Sequence, residues 1–213
     1  LVDIVAVGEG ERTCVDIARA MRDKTPLNKI VGIGFHSKDR VILTRPRERI
    51  RDLDALGRPA YHLIDLRRYD NGGISISRGC PHACTFCNLV GMWDRTVTTR
   101  TTANVMEELR YLLSKGKKVV SFVDDTFITD IQRTKELCTA LAREHRTITY
   151  NCQARVDSID RNTLRLLKNS GCRELFFGIE SGSNKLLKKL KKGFTIEQAL
   201  RSITMARKAG FSV

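Results

Sequence analysis

From residue 73 onward, short apolar runs of β type alternate with longer stretches whose apolar positions recur at helical spacing. The β-type runs read GISIS, KVVSFV, TITYNC, ELFFGI and finally FSV. Between them, TTANVMEELRYLLSKG puts Val105, Met106, Leu109, Leu112 and Leu113 on one face and stops at Gly116. TDIQRTKELCTALAREH does the same with Ile131, Leu137, Cys138 and Leu141. In DRNTLRLLKNSG, Asp160 is placed to cap a helix that turns Leu164 and Leu167 inward and ends at Gly171. In TIEQALRSITMARKAG, Thr195 and Gln198 have capping-box spacing and Gly210 is the stop. Four βα units and the start of a fifth strand predict an α/β fold with a parallel sheet, barrel-like or doubly wound.

The first 70 residues have another style. LVDIVAVGEGE reads as strand and glycine turn leading into a helix, KIVGIGFHSKDRVILT as a hairpin, and RPRERIRDLDALGRPAYHLIDLRRYD as an irregular connector. The predicted division is therefore 1–70 and 71–213. Residues 1 and 213 both fall inside strand-like runs, which carries the expectation of a piece cut from a longer protein at both ends.

Composition narrows the classes. With 213 residues, 41% of them hydrophobic and 29% charged, the chain is long enough to bury a core. No run approaches the roughly 20 apolar residues that span a bilayer, and the N-terminus lacks signal-peptide order, so the expected compartment is the cytoplasm. The seven cysteines are odd in number and mostly scattered, which argues against a disulfide framework and for a metal or redox site. The formal charge of +14 is densest in NKLLKKLKKG, where Leu186, Leu187 and Leu190 form a stripe and five lysines read as its solvated face. Such a balance permits a nucleic-acid partner and does not establish one.

The chemistry gathers in ISISRGCPHACTFCN, residues 74–88. Cys80, Cys84 and Cys87 follow the first strand of the repeat directly, so their loop leaves the C-terminal edge of the sheet. Asp124 and Asp125 follow VVSFV, Arg155 follows ITYNCQA and Glu180 follows ELFFGI, all at the same strand end. A parallel sheet brings these groups over one mouth, although surface ion pairs at loop ends would give the same pattern. Thiolates select iron–sulfur clusters or zinc. Structural zinc takes four closed ligands, no second cysteine pair exists, and His82 between Cys80 and Cys84 is cramped as a fourth. A cubane held by three thiolates leaves one iron open for a substrate or cofactor. Cys14, Cys138, Cys152 and Cys172 read as packing residues.

The spacing Cys-x-x-x-Cys-x-aromatic-Cys, met by Cys80, Cys84, Phe86 and Cys87, resembles the signature of the radical S-adenosylmethionine (SAM) enzymes. VVSFVDDTF, NCQARVD, LFFGIESGS and FTIEQALRSITMARKAGFSV look like the later part of that domain in the branch with a cobalamin-binding domain ahead of it. VAVGEGE and LTRPRERIRDLDALGRPAYHLID look like the end of that Rossmann-like cobalamin domain and its linker. The resemblance implies a 4Fe–4S cluster on Cys80, Cys84 and Cys87, with SAM on the open iron and Phe86 beside the adenine. It places Asp124 and Asp125 at the methionine ammonium, Arg155 at the SAM carboxylate, and Glu180 at the ribose or amino group. It implies radical methylation, cyclisation or rearrangement of a small-molecule substrate, with a one-electron donor such as flavodoxin or ferredoxin. Cobalamin is a further expectation of the branch, with Gly8, Glu9 and Gly10 able to cradle its nucleotide-like tail, although Asp-x-His-x-x-Gly is absent. Two rivals remain at this point: a tRNA-modifying radical SAM methylthiotransferase, and a non-catalytic, zinc-stabilised nucleic-acid-binding protein.

Overall fold

The computed structural model describes residues 2–144 and 148–213. Leu1, the predicted helix end at His145 and the start of TITYNC at Thr147 lie outside the described residues. The chain forms two compact units, one ending at Asp52 and one running from Leu53 to Val213.

In the first unit, β1 (Ile4–Ala6) leads through Gly8 into α1 (Gly10–Asp23). Gly8 sits at φ +87°, a left-handed conformation that favours glycine and turns strand into helix. The hairpin of β2 (Ile33–Ser37) and β3 (Arg40–Leu43) follows, and the sheet runs β1-β2-β3 with both pairings antiparallel. Ala20, Ile30, Ile33 and Phe35 make its core, while Cys14 is exposed instead of packed.

The second unit contains β4 (Gly72–Ile74), β5 (Ser77–Arg78), α2 (Leu89–Trp93), β6 (Thr98–Thr99), α3 (Thr102–Ser114) and β7 (Val119–Phe122). It continues with α4 (Ile131–Glu144), β8 (Thr149–Ala154), α5 (Arg161–Asn169), β9 (Cys172–Phe177), α6 (Asn184–Lys189) and α7 (Ile196–Lys208). Its sheet runs β4-β7-β8-β9, every pair parallel, and Ser212 begins a further parallel contact beside Glu174. This is the predicted partial parallel barrel, each strand joined to the next by a helix.

The local signals explain the elements. Asp160 accepts from the Thr163 N–H at 2.7 Å, and Thr195 and Gln198 complete the capping box at the start of α7. Val105, Met106, Leu109 and Leu112 of α3, Leu137 and Leu141 of α4, and Leu164 and Leu167 of α5 are buried against the sheet in one core. Ile131 departs from the predicted face: as the first residue of α4 it is 45% exposed. GISIS is not one strand, because β4 ends at Ile74 and β5 pairs antiparallel with β6.

Residues 53–70 pack with the second unit. Asp54 accepts from the Thr101 N–H and hydroxyl at 3.0 and 2.6 Å, ahead of α3. The Tyr61 ring stacks on Tyr111, and its hydroxyl donates to Glu108 at 2.5 Å. Glu108, buried in α3, also pairs with Arg100 at 2.5 Å. Among the described residues no helix is long and apolar enough to cross a membrane.

Candidate metal centre at the mouth of the parallel sheet

The loop from Gly79 to Val97 starts where β5 ends and returns into β6, so the Ser77↔Thr99 and Arg78↔Thr98 pairs close its base. Gly79 opens it at φ +95°, where a side-chain Cβ would lie 2.1 Å from the Thr96 carbonyl oxygen. Only glycine fits that approach.

Two acids from the end of β7 hold the near limb. Asp124, 2% exposed, accepts from the Ile76 N–H at 3.0 Å and from the Ser77 N–H and hydroxyl at 2.5 and 2.7 Å. Its other oxygen takes the Ile76 N–H at 3.1 Å, so both oxygens are engaged with the chain itself. Asp125 accepts from the Gly79 N–H at 3.1 Å. Both carboxylates, expected from the sequence at a ligand's ammonium, bond the backbone that leads into the thiol loop, Asp125 through one oxygen. Burial raises Asp124 to about 6, while the bonds from Ser77 and Ile76 and the charge of Arg133 pull it down.

The far side of the loop rests on the turn between α6 and α7. The Thr85 N–H donates to the Leu190 carbonyl at 3.1 Å, and the Cys84 Sγ lies 4.0 Å from the Lys191 carbonyl. Arg155, from the end of β8, clasps Asp157 through Nε and Nη2 at 2.9 and 2.7 Å, and Nη2 also donates to the Lys192 carbonyl. Its Nη1 is 3.9 Å from the Cys84 Sγ. The guanidinium therefore ties three segments together around a thiol.

All three thiols of the loop are free, with Cys84 buried and Cys80 and Cys87 half-buried. Burial pushes the Cys80 thiol up, and a hydrogen bond from the His82 backbone and the Arg155 charge draw it back. His82 is held below its ordinary value by burial, with the charges of Arg155 and Lys192 adding to the effect. Among the described residues no three His, Cys, Asp or Glu side chains converge on a point as ligands of one ion do. Phe86, between Cys84 and Cys87, is 51% exposed at the mouth. Glu180 stands beyond β9 with φ +74°, a conformation rare for glutamate.

One residue of the mouth was not anticipated. Lys192, counted in the sequence among the solvated lysines, is 5% exposed and turns inward. Its ammonium stands 3.5 Å from Glu180 and 5.6 Å and 5.5 Å from the centroids of the Phe86 and Phe194 rings. The cause is that α6 stops after six residues at Lys189, so Lys191, at φ +53°, and Lys192 lie in a turn and not on a helix face. Gly193 and the Thr195 cap just downstream were the available signal of that turn.

At the N-terminal unit, Glu9 is buried and accepts from the Ile50 N–H at 2.6 Å. Gly8 has nothing within 4 Å on its Cβ side, and α1 begins at Gly10.

Residues 74–213 match the model of the radical SAM superfamily. Along 98% of its length the chain is 29% identical to an uncharacterised methyltransferase of Pyrococcus horikoshii, covering 47% of that protein. Along 97% it is 30% identical to the anaerobic magnesium-protoporphyrin IX monomethyl ester cyclase of Synechocystis, covering 43% of it. The chain thus spans less than half the length of these relatives. In fold it is similar to the cobalamin-dependent S-adenosylmethionine radical enzyme OxsB, solved with aqua-cobalamin and S-adenosylmethionine bound. The TM-score is 0.82 at 22% identity, over 98% of this chain and 32% of that one.

Proposed function

The chain belongs to the radical SAM superfamily, enzymes that use a 4Fe–4S cluster and SAM, and on that premise we propose that Cys80, Cys84 and Cys87 hold the cluster in an enzyme of radical methylation, cyclisation or rearrangement. The observation that carries this reading is three free thiols on one loop, braced from two sides at the mouth of a parallel sheet. The donor set fits the group: soft thiols, one of them with the Arg155 Nη1 3.9 Å from its sulfur. When bound, the cluster supplies the electron that cleaves SAM to methionine and a 5′-deoxyadenosyl radical.

The chain's own work is positional. Asp124 and Asp125 fix the entry to the loop through the N–H groups of Ile76, Ser77 and Gly79, and Arg155 fixes its far side. Phe86, half exposed between two of the thiols, offers a ring face to the adenine. Glu180 offers an acceptor for the ribose or amino group.

The name of the similar cyclase supports a small molecule as substrate, and the reductive cleavage of SAM calls for a one-electron donor as partner. The likeness in fold to a protein solved with aqua-cobalamin supports cobalamin as a further cofactor, which we place on the N-terminal unit. There the fit is through backbone: the open side of Gly8 and the first N–H groups of α1, since the Glu9 carboxylate is bonded to Ile50.

Iron, sulfide and zinc content of protein purified without oxygen tests the reading. About four irons and four sulfides per chain are expected, with loss of both in Cys84→Ala and in the less buried Cys80→Ala. One zinc per chain with no sulfide overturns it.

A further inference from the structure

The bracing of the loop does not account for the burial of Lys192. An ammonium carries three donors, and lysines are seldom this buried unless paired. Among the described residues the charged group facing Nζ is Glu180, at 3.5 Å, well beyond the 2.7–2.9 Å of a charge-assisted hydrogen bond. The rings of Phe86 and Phe194 flank it. A ring face attracts a cation but does not replace a hydrogen bond to water, so the ammonium retains donor capacity in a shielded place.

Two other cations near the loop, Arg155 and Arg95, are committed. Arg155 is divided between Asp157, the Lys192 carbonyl and the Cys84 sulfur. Arg95 is exposed and donates to the Pro81 carbonyl at 3.3 Å. Lys192 combines burial, proximity to Phe86 and an ammonium 3.5 Å from the Glu180 carboxylate.

SAM carries two positive groups, the sulfonium and the ammonium, and a single negative one, the carboxylate of its methionine half. A buried cation on the site attracts that group and repels the other two. Resting on the SAM reading above, we propose that Lys192, in place of Arg155, is the residue that receives the SAM carboxylate. Glu180, now its resident partner, is held in a left-handed conformation rare for glutamate, and it is left to face the positive or hydroxyl groups of the same ligand.

The experiment compares two probes on the cluster-loaded protein kept free of oxygen: S-adenosylhomocysteine, and 5′-methylthioadenosine, which has the same nucleoside and no amino-acid half. Lys192→Met and Lys192→Gln are expected to weaken S-adenosylhomocysteine at least tenfold, which is 1.4 kcal/mol, and to leave 5′-methylthioadenosine within twofold. Lys192→Arg is expected to keep the preference between the probes. Equal losses of both probes, unchanged binding of both, or loss of iron in Met and Gln variants alike would overturn the assignment. Wild-type protein that holds four irons and binds neither probe would overturn the SAM reading itself.

Discussion

Asp124 makes stability depend on pH in a direction opposite to that of most carboxylates. An ionised carboxylate that is paired usually sits low and loses stability in acid. Asp124 is 2% exposed, and its burial outweighs the bonds from Ile76 and Ser77 and the charge of Arg133, raising it from 3.8 to about 6. At 1.36 kcal/mol for each tenfold change in proton affinity, that difference amounts to about 3 kcal/mol. The folded chain holds the proton longer than the unfolded chain does. The contribution is therefore complete below the ordinary carboxylate value and is lost as pH rises from about 4 through about 6. Asp124→Asn keeps the shape and one acceptor but cannot titrate. Urea unfolding of both proteins at half-unit steps from pH 4 to pH 7 isolates the group, because other carboxylates cancel in the difference. The stability of wild type relative to Asn is expected to fall by about 3 kcal/mol across that range, with most of the change between pH 4 and pH 6. A difference flat to within about 0.5 kcal/mol would show that the N–H donors of Ile76 and Ser77 fully offset burial, and would refute the reasoning.

Two further perturbations test the frame around the site. Gly79→Ala must adopt φ +95°, at about 1–2 kcal/mol, and must also move its Cβ away from the Thr96 carbonyl at 2.1 Å. A lower urea midpoint and reduced iron content are expected, and full iron with an unchanged midpoint would show that the loop base is looser than its pairing implies. Tyr61→Phe removes the donor that Glu108 receives at 2.5 Å inside α3, leaving Arg100 as the partner described for that buried carboxylate. A loss of about 1–3 kcal/mol in urea unfolding is expected; a change below about 0.3 kcal/mol would mean that residues 53–70 add little to the second unit.

How much of this was legible depends on whether a signal is local. The caps at Asp160 and Thr195 and the apolar stripe of α3 are read within a few residues, and the structure contains them as read. The parallel sheet followed from the alternation of strands and helices, and with it the meeting of the thiol loop, Asp124, Arg155 and Glu180 at one edge. Tertiary placement was less legible. Ile131 fits the helical period, but as the first residue of α4 it has little to pack against. The connector 53–70 carries no strand or long helix, and its attachment through Asp54 and Tyr61 to α3 involves partners 47 residues distant. Lys192 was misread because a lysine-rich run resembles a solvated helix face until the end of the helix is known.

The roles of the strand-end charges follow from an obligation that motif reading overlooks. An irregular loop carries backbone N–H and C=O groups that no strand or helix satisfies, and these lie nearer to the strand-end side chains than any ligand does. Carboxylates only accept, so Asp124 and Asp125 go to the N–H groups of Ile76, Ser77 and Gly79. A guanidinium only donates, so Arg155 goes to the Lys192 carbonyl and toward the Cys84 sulfur. The chain's own backbone thus engages each of these charges, fully at Asp124 and through one oxygen at Asp125. The acid pair and Arg155 brace the thiol loop, and under the SAM reading proposed above Phe86, Glu180 and Lys192 meet what binds beside them.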